Sequence, residues 1–229
     1  MENLEQILKK RISNFGPISI SDFILEANLN SKFGYYNNNL PFGEKKDYVT
    51  SPEISQMFGE LLALWSIDCW EKMGQPKKFS LVELGPGSGI LMKDFLRVIK
   101  LNFEFVEKCN QVYLFEISPF LKKVQKNNLI TLDNKILKKI KWIKNLNDIS
   151  ETPFILIANE FFDALPIKQF ILKKNIWHER FVKYINKEKL IFEDKKANLK
   201  NLNDLIDLGL TEKQKIIEFP IEAIKYLKS

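Results

Sequence analysis

The feature that most limits what this chain can fold into is an abrupt passage from strand to helix. Leu81-Val82-Glu83-Leu84 is a buried-type strand, Gly85-Pro86-Gly87-Ser88-Gly89 is a tight turn, and Ile90 to Lys100 is a helix with Leu91, Phe95 and Val98 inward. Glycines are needed where a turn is tight and another group must approach the backbone. The alternation continues from about residue 79 onward. Val112 to Ile117 reads as a second strand, and Trp142-Ile143 lies in a third. Phe154 to Ala158 is a fourth, apolar throughout, as expected when both faces are covered. Pro119 to Asn127 opens a helix with proline in its first turn. Strands alternating with helices predict a parallel, doubly wound sheet.

The flanking regions read differently. Leu4, Ile7, Leu8 and Ile12 recur at helical spacing, and Gly16-Pro17 stops that segment. Ser19 to Asn30 forms a second short helix, and Phe33 to Gly43 is punctuated like a structured loop. Thr50 and Glu53 have capping-box spacing, with Pro52 suited to a first turn. The helix they start carries an apolar stripe of Ile54, Met57, Phe58, Leu61, Leu62 and Trp65, and Gly74 and Pro76 end it. After Pro166, Gln169 to Leu172, Arg180 to Ile185 and Lys189 to Phe192 read as a meander, with Asn186-Lys187-Glu188 as its last turn. Residues 193 to 215 are polar and lysine-rich, a surface segment with some helix, and Ile221 to Leu227 start another helix. The expected division is a helical region over 1–78, a sheet core over 79–168, and a meander with a C-terminal helix over 169–229.

Composition removes several function classes. No apolar run approaches the ~18 residues of a membrane span. Met1 to Phe15 has no apolar signal core, and Glu2 and Glu5 spoil a transit-peptide reading. Two cysteines and one histidine exclude a disulfide framework and a zinc site built from several such ligands, so no metal is expected. A reducing, cytoplasmic setting is the expectation. The net charge of +6 invites a nucleic-acid reading, but only Arg11, Arg97 and Arg180 are arginine. A phosphate-reading surface uses arginine for bidentate contacts, so no nucleic-acid partner is expected.

Three constellations carry chemistry. In the glycine turn, Glu83 sits two positions before Gly85, and Ile90 stands where a dinucleotide fingerprint wants glycine or alanine. Both favour an S-adenosylmethionine loop over a nicotinamide loop. Glu116, near the end of the second strand, can accept both ribose hydroxyls of an adenosine. It lies further from Gly85 than the ~20 residues usual in dinucleotide folds, because the first crossover is longer. Asn159-Glu160-Phe161-Phe162-Asp163-Ala164-Leu165-Pro166 follows the fourth strand, at the sheet edge where such folds bind ligands. Glu160 and Asp163 suit a bidentate grip on a guanidinium, although Asp163 also suits a turn and Phe161-Phe162 a core. His178, the only histidine, lies in the meander and reads as a strand-surface residue.

On these motifs the sequence resembles the MidA-like family of class I S-adenosylmethionine-dependent methyltransferases, which includes a mitochondrial complex I assembly factor that methylates protein arginine. The likeness runs from about Gly16 to Pro220. It rests on Tyr35-Tyr36, on Asp47 to Glu60, on Val82 to Gly89 and on Asn159 to Pro166, with Trp177-His178-Glu179-Arg180 in support. The resemblance implies a Rossmann-like fold with an N-terminal helical region and a β-meander insertion. It implies S-adenosyl-L-methionine held by Glu83, Gly85, Pro86, Gly87, Gly89 and Glu116, with Thr50, Ser51 and Pro52 closing over it. It implies Asn159, Glu160 and Asp163 as catalytic residues and an arginine of a respiratory complex I subunit as acceptor.

The family's sheet has more strands than are identifiable before Ser229. The C-terminal strands are expected to be missing, leaving the fourth as an open edge. The chain is then a fragment, is completed by a second chain, or is the product of a decaying gene. The alternative function is a catalytically inactive cofactor-binding or assembly-partner module.

Overall fold

A computed structural model describes residues 3–38, 47, 49–150, 153–186, 189–198, 203, 206, 209 and 214–228. The chain forms two compact units, residues 36–163 and residues 1–35 with 164–229. Compactness therefore divides the chain at other places than the changes in sequence character at 78 and 168. Among the described residues no helix is long and apolar enough to cross a membrane.

The smaller unit starts with α1 (Leu4–Phe15), β1 (Ile18–Ser19) and α2 (Ile20–Leu29). Asn3 and Gln6 form a reciprocal capping box at the start of α1, and Ser19 caps α2. α3 (Tyr35–Asn38) lies where the two units divide. The larger unit then runs through α4 (Ser51–Ile54), α5 (Gln56–Lys72), β2 (Phe79–Leu84), α6 (Ile90–Ile99), α7 (Phe103–Lys108), β3 (Cys109–Phe115), α8 (Pro119–Leu129), α9 (Asn134–Leu137), β4 (Ile140–Ile143) and β5 (Phe154–Ile157). Its sheet is parallel throughout, in the order β4-β3-β2-β5. β2 is central and every one of its residues is buried. Trp70, Phe79 and Phe105 pack together on one side, with Phe79 and Phe105 edge-on at 4.8 Å between centroids.

The smaller unit is completed by β6 (Lys168–Lys173), β7 (Ile176–Ile185), β8 (Lys189–Lys196), β9 (Ile216–Phe219) and α10 (Ile221–Lys228). The three meander strands are where the sequence puts them, each longer than expected. β1 and β9 join the same antiparallel sheet, β1 on β7 and β9 on β6. Asn186 of the expected turn has a left-handed backbone (φ 51°), while residues 187 and 188 lie outside the described residues, as does most of the segment 199–213.

Four expectations change. Residues 50–74 are not one helix, because Ser55 is extended (φ −147°, ψ 125°) and caps a new start at Gln56. The Thr50–Glu53 capping box does not form, since Thr50 makes no side-chain cap bond. The apolar stripe faces inward only in part: Phe58 and Leu62 pack against the core, Ile54, Met57, Leu61 and Trp65 are exposed, and Gly59, Ala63, Ser66 and Trp70 are buried. The reason is close approach. A Cβ on Gly59 would lie 3.0 Å from both Asp94 Cβ and Leu91 O, so the small residues bring α5 down onto α6. Finally, β5 is covered on one face only, since Ile155 and Ile157 are buried and Phe154 and Leu156 are not.

Phe105 is fully buried and touches both other rings of the aromatic cluster. Phe105→Ala is expected to cost about 3–5 kcal/mol. A urea titration followed by tryptophan fluorescence measures it, and a loss under about 1 kcal/mol contradicts this account of the core.

Candidate functional site

All twelve candidate site residues fall within the larger unit. Parallel pairing brings most of them to one edge. β2, β3 and β5 run the same way, with Leu84 opposite Phe115 and Glu83 opposite Ile157. The glycine turn, Glu116 and Asn159-Glu160 thus all follow directly from the carboxyl ends of adjacent strands.

The turn has three glycines in the left-handed region, with φ of 64° at Gly85, 56° at Gly87 and 83° at Gly89. Gly85 N donates to Phe115 O at 3.1 Å, and Gly89 N to Pro86 O at 2.8 Å, which close the turn. Two of these positions are also crowded by a neighbouring residue. A Cβ on Gly85 would lie 2.7 Å from Phe161 Cδ2, and one on Gly89 would lie 3.2 Å from Gln125 Cα. Pro86 is buried.

Beneath the turn lie two buried carboxyl groups with different surroundings. Glu83 is 2% exposed, and its Oε2 has no hydrogen-bond partner among the described residues. Burial, then the charge of Glu116, pushes its carboxyl up to about 8. Glu116 is 6% exposed but well supplied: Oε1 accepts from Ser118 N at 2.8 Å and Oε2 from Gln125 Nε2 at 2.9 Å. Burial raises its pKa too, against those bonds, which lower it. An ionised carboxylate has about four acceptor positions, so both its oxygens can still take a ligand hydroxyl. Glu83 fits a ligand that brings a donor or a cation to its free oxygen.

Thr50, Ser51 and Pro52 are tied to the turn indirectly. Pro52 is buried in the first turn of α4, and Glu53 Oε1 accepts from Ser88 Oγ at 2.5 Å. Glu53 thus holds the α4 segment to the glycine turn instead of capping its own helix. Asn159 is half-buried, and Glu160 and Asp163 are exposed. Glu160 has a left-handed backbone (φ 53°), rare for a residue with a side chain. Phe161, which follows, packs edge-on against Phe115 at 5.9 Å. His178 lies in β7, in the other unit, with Nδ1 2.9 Å from Ile176 O.

Sequence reasoning missed Glu53, Ser88, Gln125 and Asn128. Asn128 Nδ2 donates to Ser88 O at 2.9 Å, and Gln125 Nε2 to Gly87 O at 3.0 Å. A signal was present for Gln125: Leu121, Gln125 and Leu129 are the buried residues of α8, and a polar residue on that stripe needs partners.

Comparison with known proteins decides the ancestry. Residues 61–229 match a family described as "Putative S-adenosyl-L-methionine-dependent methyltransferase". The chain belongs to this family. Among curated relatives, the mitochondrial protein arginine methyltransferase NDUFAF7 of Xenopus laevis is 39% identical over 189 residues, 75% of this chain and 43% of that protein. The human protein of the same name is 36% identical over 193 residues, 76% of this chain and 44% of its own. The chain therefore spans less than half the length of the relatives it matches. A solved protein from Burkholderia thailandensis, bound to S-adenosyl-homocysteine, has the same fold, with a TM-score of 0.82 at 21% identity. That match covers 97% of this chain and 57% of the bacterial one.

The expectation of a cytoplasmic setting is corrected by these relatives, which are named as mitochondrial proteins. Its basis was too weak: two free cysteines indicate a reducing compartment and do not say which one.

Glu83 also makes stability depend on pH. Its folded carboxyl holds a proton more tightly than an ordinary one at 4.5, so the folded state gains relative stability at low pH. That stability is complete below about 4.5 and is lost as pH rises through about 8. Glu83→Gln removes the titration. Urea midpoints across this range are expected to fall with pH in the wild type relative to the variant, and parallel curves contradict the assignment.

Proposed function

We propose that this chain binds S-adenosyl-L-methionine at the carboxyl edge of the parallel sheet and methylates an arginine side chain of a protein. The single observation that carries the reading is the unpartnered, buried oxygen of Glu83 under a turn of three left-handed glycines. A cradle open to close approach, with a buried acceptor below it, fits a ligand with an ammonium group and ribose hydroxyls. The family's dependence on this cofactor supports the choice. The relatives' name, protein arginine methyltransferase, supports arginine as acceptor.

When bound, the sulfonium supplies an already activated methyl group. The residues of the chain then have to bind, align and exclude water. Glu83 accepts from the cationic end of the cofactor, and Glu116 accepts from the ribose hydroxyls. Gly85 and Gly89 hold the turn in shape against Phe161 and Gln125, Pro86 and Gly87 let a ligand approach the backbone, and Thr50, Ser51 and Pro52 close the site. Glu160 and Asp163 grip the guanidinium, whose pKa exceeds ~12, by charge-assisted bonds. Glu160 takes the proton that the nitrogen gives up on methylation, and Asn159 orients the acceptor. Residues 79–168 form the cofactor-binding part. A respiratory complex I subunit is the acceptor that the family resemblance suggests.

A second reading is favoured by β5, which pairs only with β2 among the described residues and leaves Phe154 and Leu156 exposed. On it, the chain binds cofactor but transfers no methyl group until a second chain extends the sheet.

Calorimetric titration with S-adenosyl-L-methionine tests the first step. Saturable binding is expected, and it is expected to vanish in Gly87→Val, where a β-branched side chain meets a φ of 56°. Glu160→Gln is expected to keep cofactor affinity and lose roughly a hundred-fold in methyl transfer to an arginine peptide. A folded wild-type chain that does not bind the cofactor overturns the proposal. Binding without transfer supports the second reading.

A further inference from the structure

Gln125 is fully buried and makes three side-chain hydrogen bonds beneath the glycine turn. Its Nε2 donates to Glu116 Oε2 at 2.9 Å and to Gly87 O at 3.0 Å. Its Oε1 accepts from Trp142 Nε1 at 2.9 Å. Three elements, the turn, the end of β3 and β4, are thus joined through one amide.

The direction of that amide is decided by its neighbours. Turned over, it would set its oxygen against two acceptors and its nitrogen against the indole donor, losing all three bonds. Trp142 therefore aims the amide, and the amide aims the carboxylate of Glu116. Ser118 N holds Oε1 and Gln125 holds Oε2, so both carboxylate oxygens have a fixed donor. Leu, similar in size, would leave Glu116 Oε2 without a donor, at the cost of a buried charge-assisted bond. Glu would set a second carboxylate against it. Gly89 completes the fit, because any side chain there would meet Gln125 within 3.2 Å.

We propose that Gln125 is a positioning residue that fixes the direction of the Glu116 carboxylate and so sets the preference for a ligand carrying both ribose hydroxyls. The proposal rests on the reading of Glu116 as the ribose-binding group. It adds a residue that does not touch the ligand but decides how well one ligand is told from a close analogue.

The test is a ratio. S-adenosyl-homocysteine and its 2′-deoxy analogue are titrated calorimetrically into the wild type, Gln125→Met and Trp142→Phe. A hydroxyl bonded to a fixed carboxylate should make the wild type prefer the full ligand by roughly ten- to a hundred-fold. Gln125→Met removes the donor at similar volume, and the preference is expected to drop to within about three-fold. Trp142→Phe releases the amide without touching Glu116, and an intermediate ratio is expected. A merely structural role would weaken both ligands equally and leave the ratio unchanged, and that result overturns the proposal. If Gln125→Met does not fold, the ratio in Trp142→Phe decides alone: a wild-type value overturns, a reduced one supports. If the folded wild type binds neither ligand, the cofactor reading falls and this inference with it. If it binds both and the ratio persists in the variants, only the role of Gln125 falls.

Discussion

β2 lies between β3 and β5, pairs with both in parallel, and has no exposed residue. Its backbone can be satisfied only by those two neighbours, since an unpaired buried N–H or C=O costs about as much as a lost hydrogen bond. That requirement fixes the registers, and the registers fix the edge at which the chain turns. Glu83, the glycine turn, Glu116 and the segment after β5 meet there because three strands end together. The site is a by-product of strand alignment, which explains how residues so far apart in sequence meet without a large loop to gather them.

The two buried glutamates show how differently a fold can treat the same side chain. Glu116 is given donors from Ser118 and Gln125 and so keeps a defined direction. Glu83 has an oxygen with none and sits beside a second carboxyl. A protein selected for stability alone has no reason to keep the latter, because a buried acceptor without a donor costs roughly 1–3 kcal/mol. A ligand that brings the missing donor converts this local penalty into affinity. The contrast between a satisfied and an unsatisfied carboxyl is a more specific mark of a binding site than the glycines alone.

Much of the larger unit was legible in the sequence. The four strands, the turn and the helix after it follow from apolar runs broken by glycine and proline, signals local enough to read directly. What was misread depended on size and on distance. The apolar pattern pointed to Ile54, Met57, Phe58, Leu61, Leu62 and Trp65; Phe58 and Leu62 do pack inward, but Gly59 and Ala63 let α5 approach α6, and the other four are exposed. Counting hydrophobic residues does not register that approach. β9 was missed because β7, β8 and a polar stretch lie between it and β6, the strand it pairs with. Gln125 was missed because polar residues on helices are usually solvated, and only the buried leucines on either side mark this one as different. The candidate residues of the turn, Glu116 and the segment after β5 were legible because each sits at a strand end, a place that sequence alone can find.

The backbone at Glu160 has one more implication. A left-handed conformation with a side chain costs about 1–2 kcal/mol relative to glycine. At 85, 87 and 89 the chain meets the same requirement with glycine, which adopts it freely. At 160 it keeps a carboxylate instead, exposed and with no side-chain hydrogen bond among the described residues, while the next residue, Phe161, packs on Phe115. The position therefore gives up ease of turning while carrying a charged side chain just after β5.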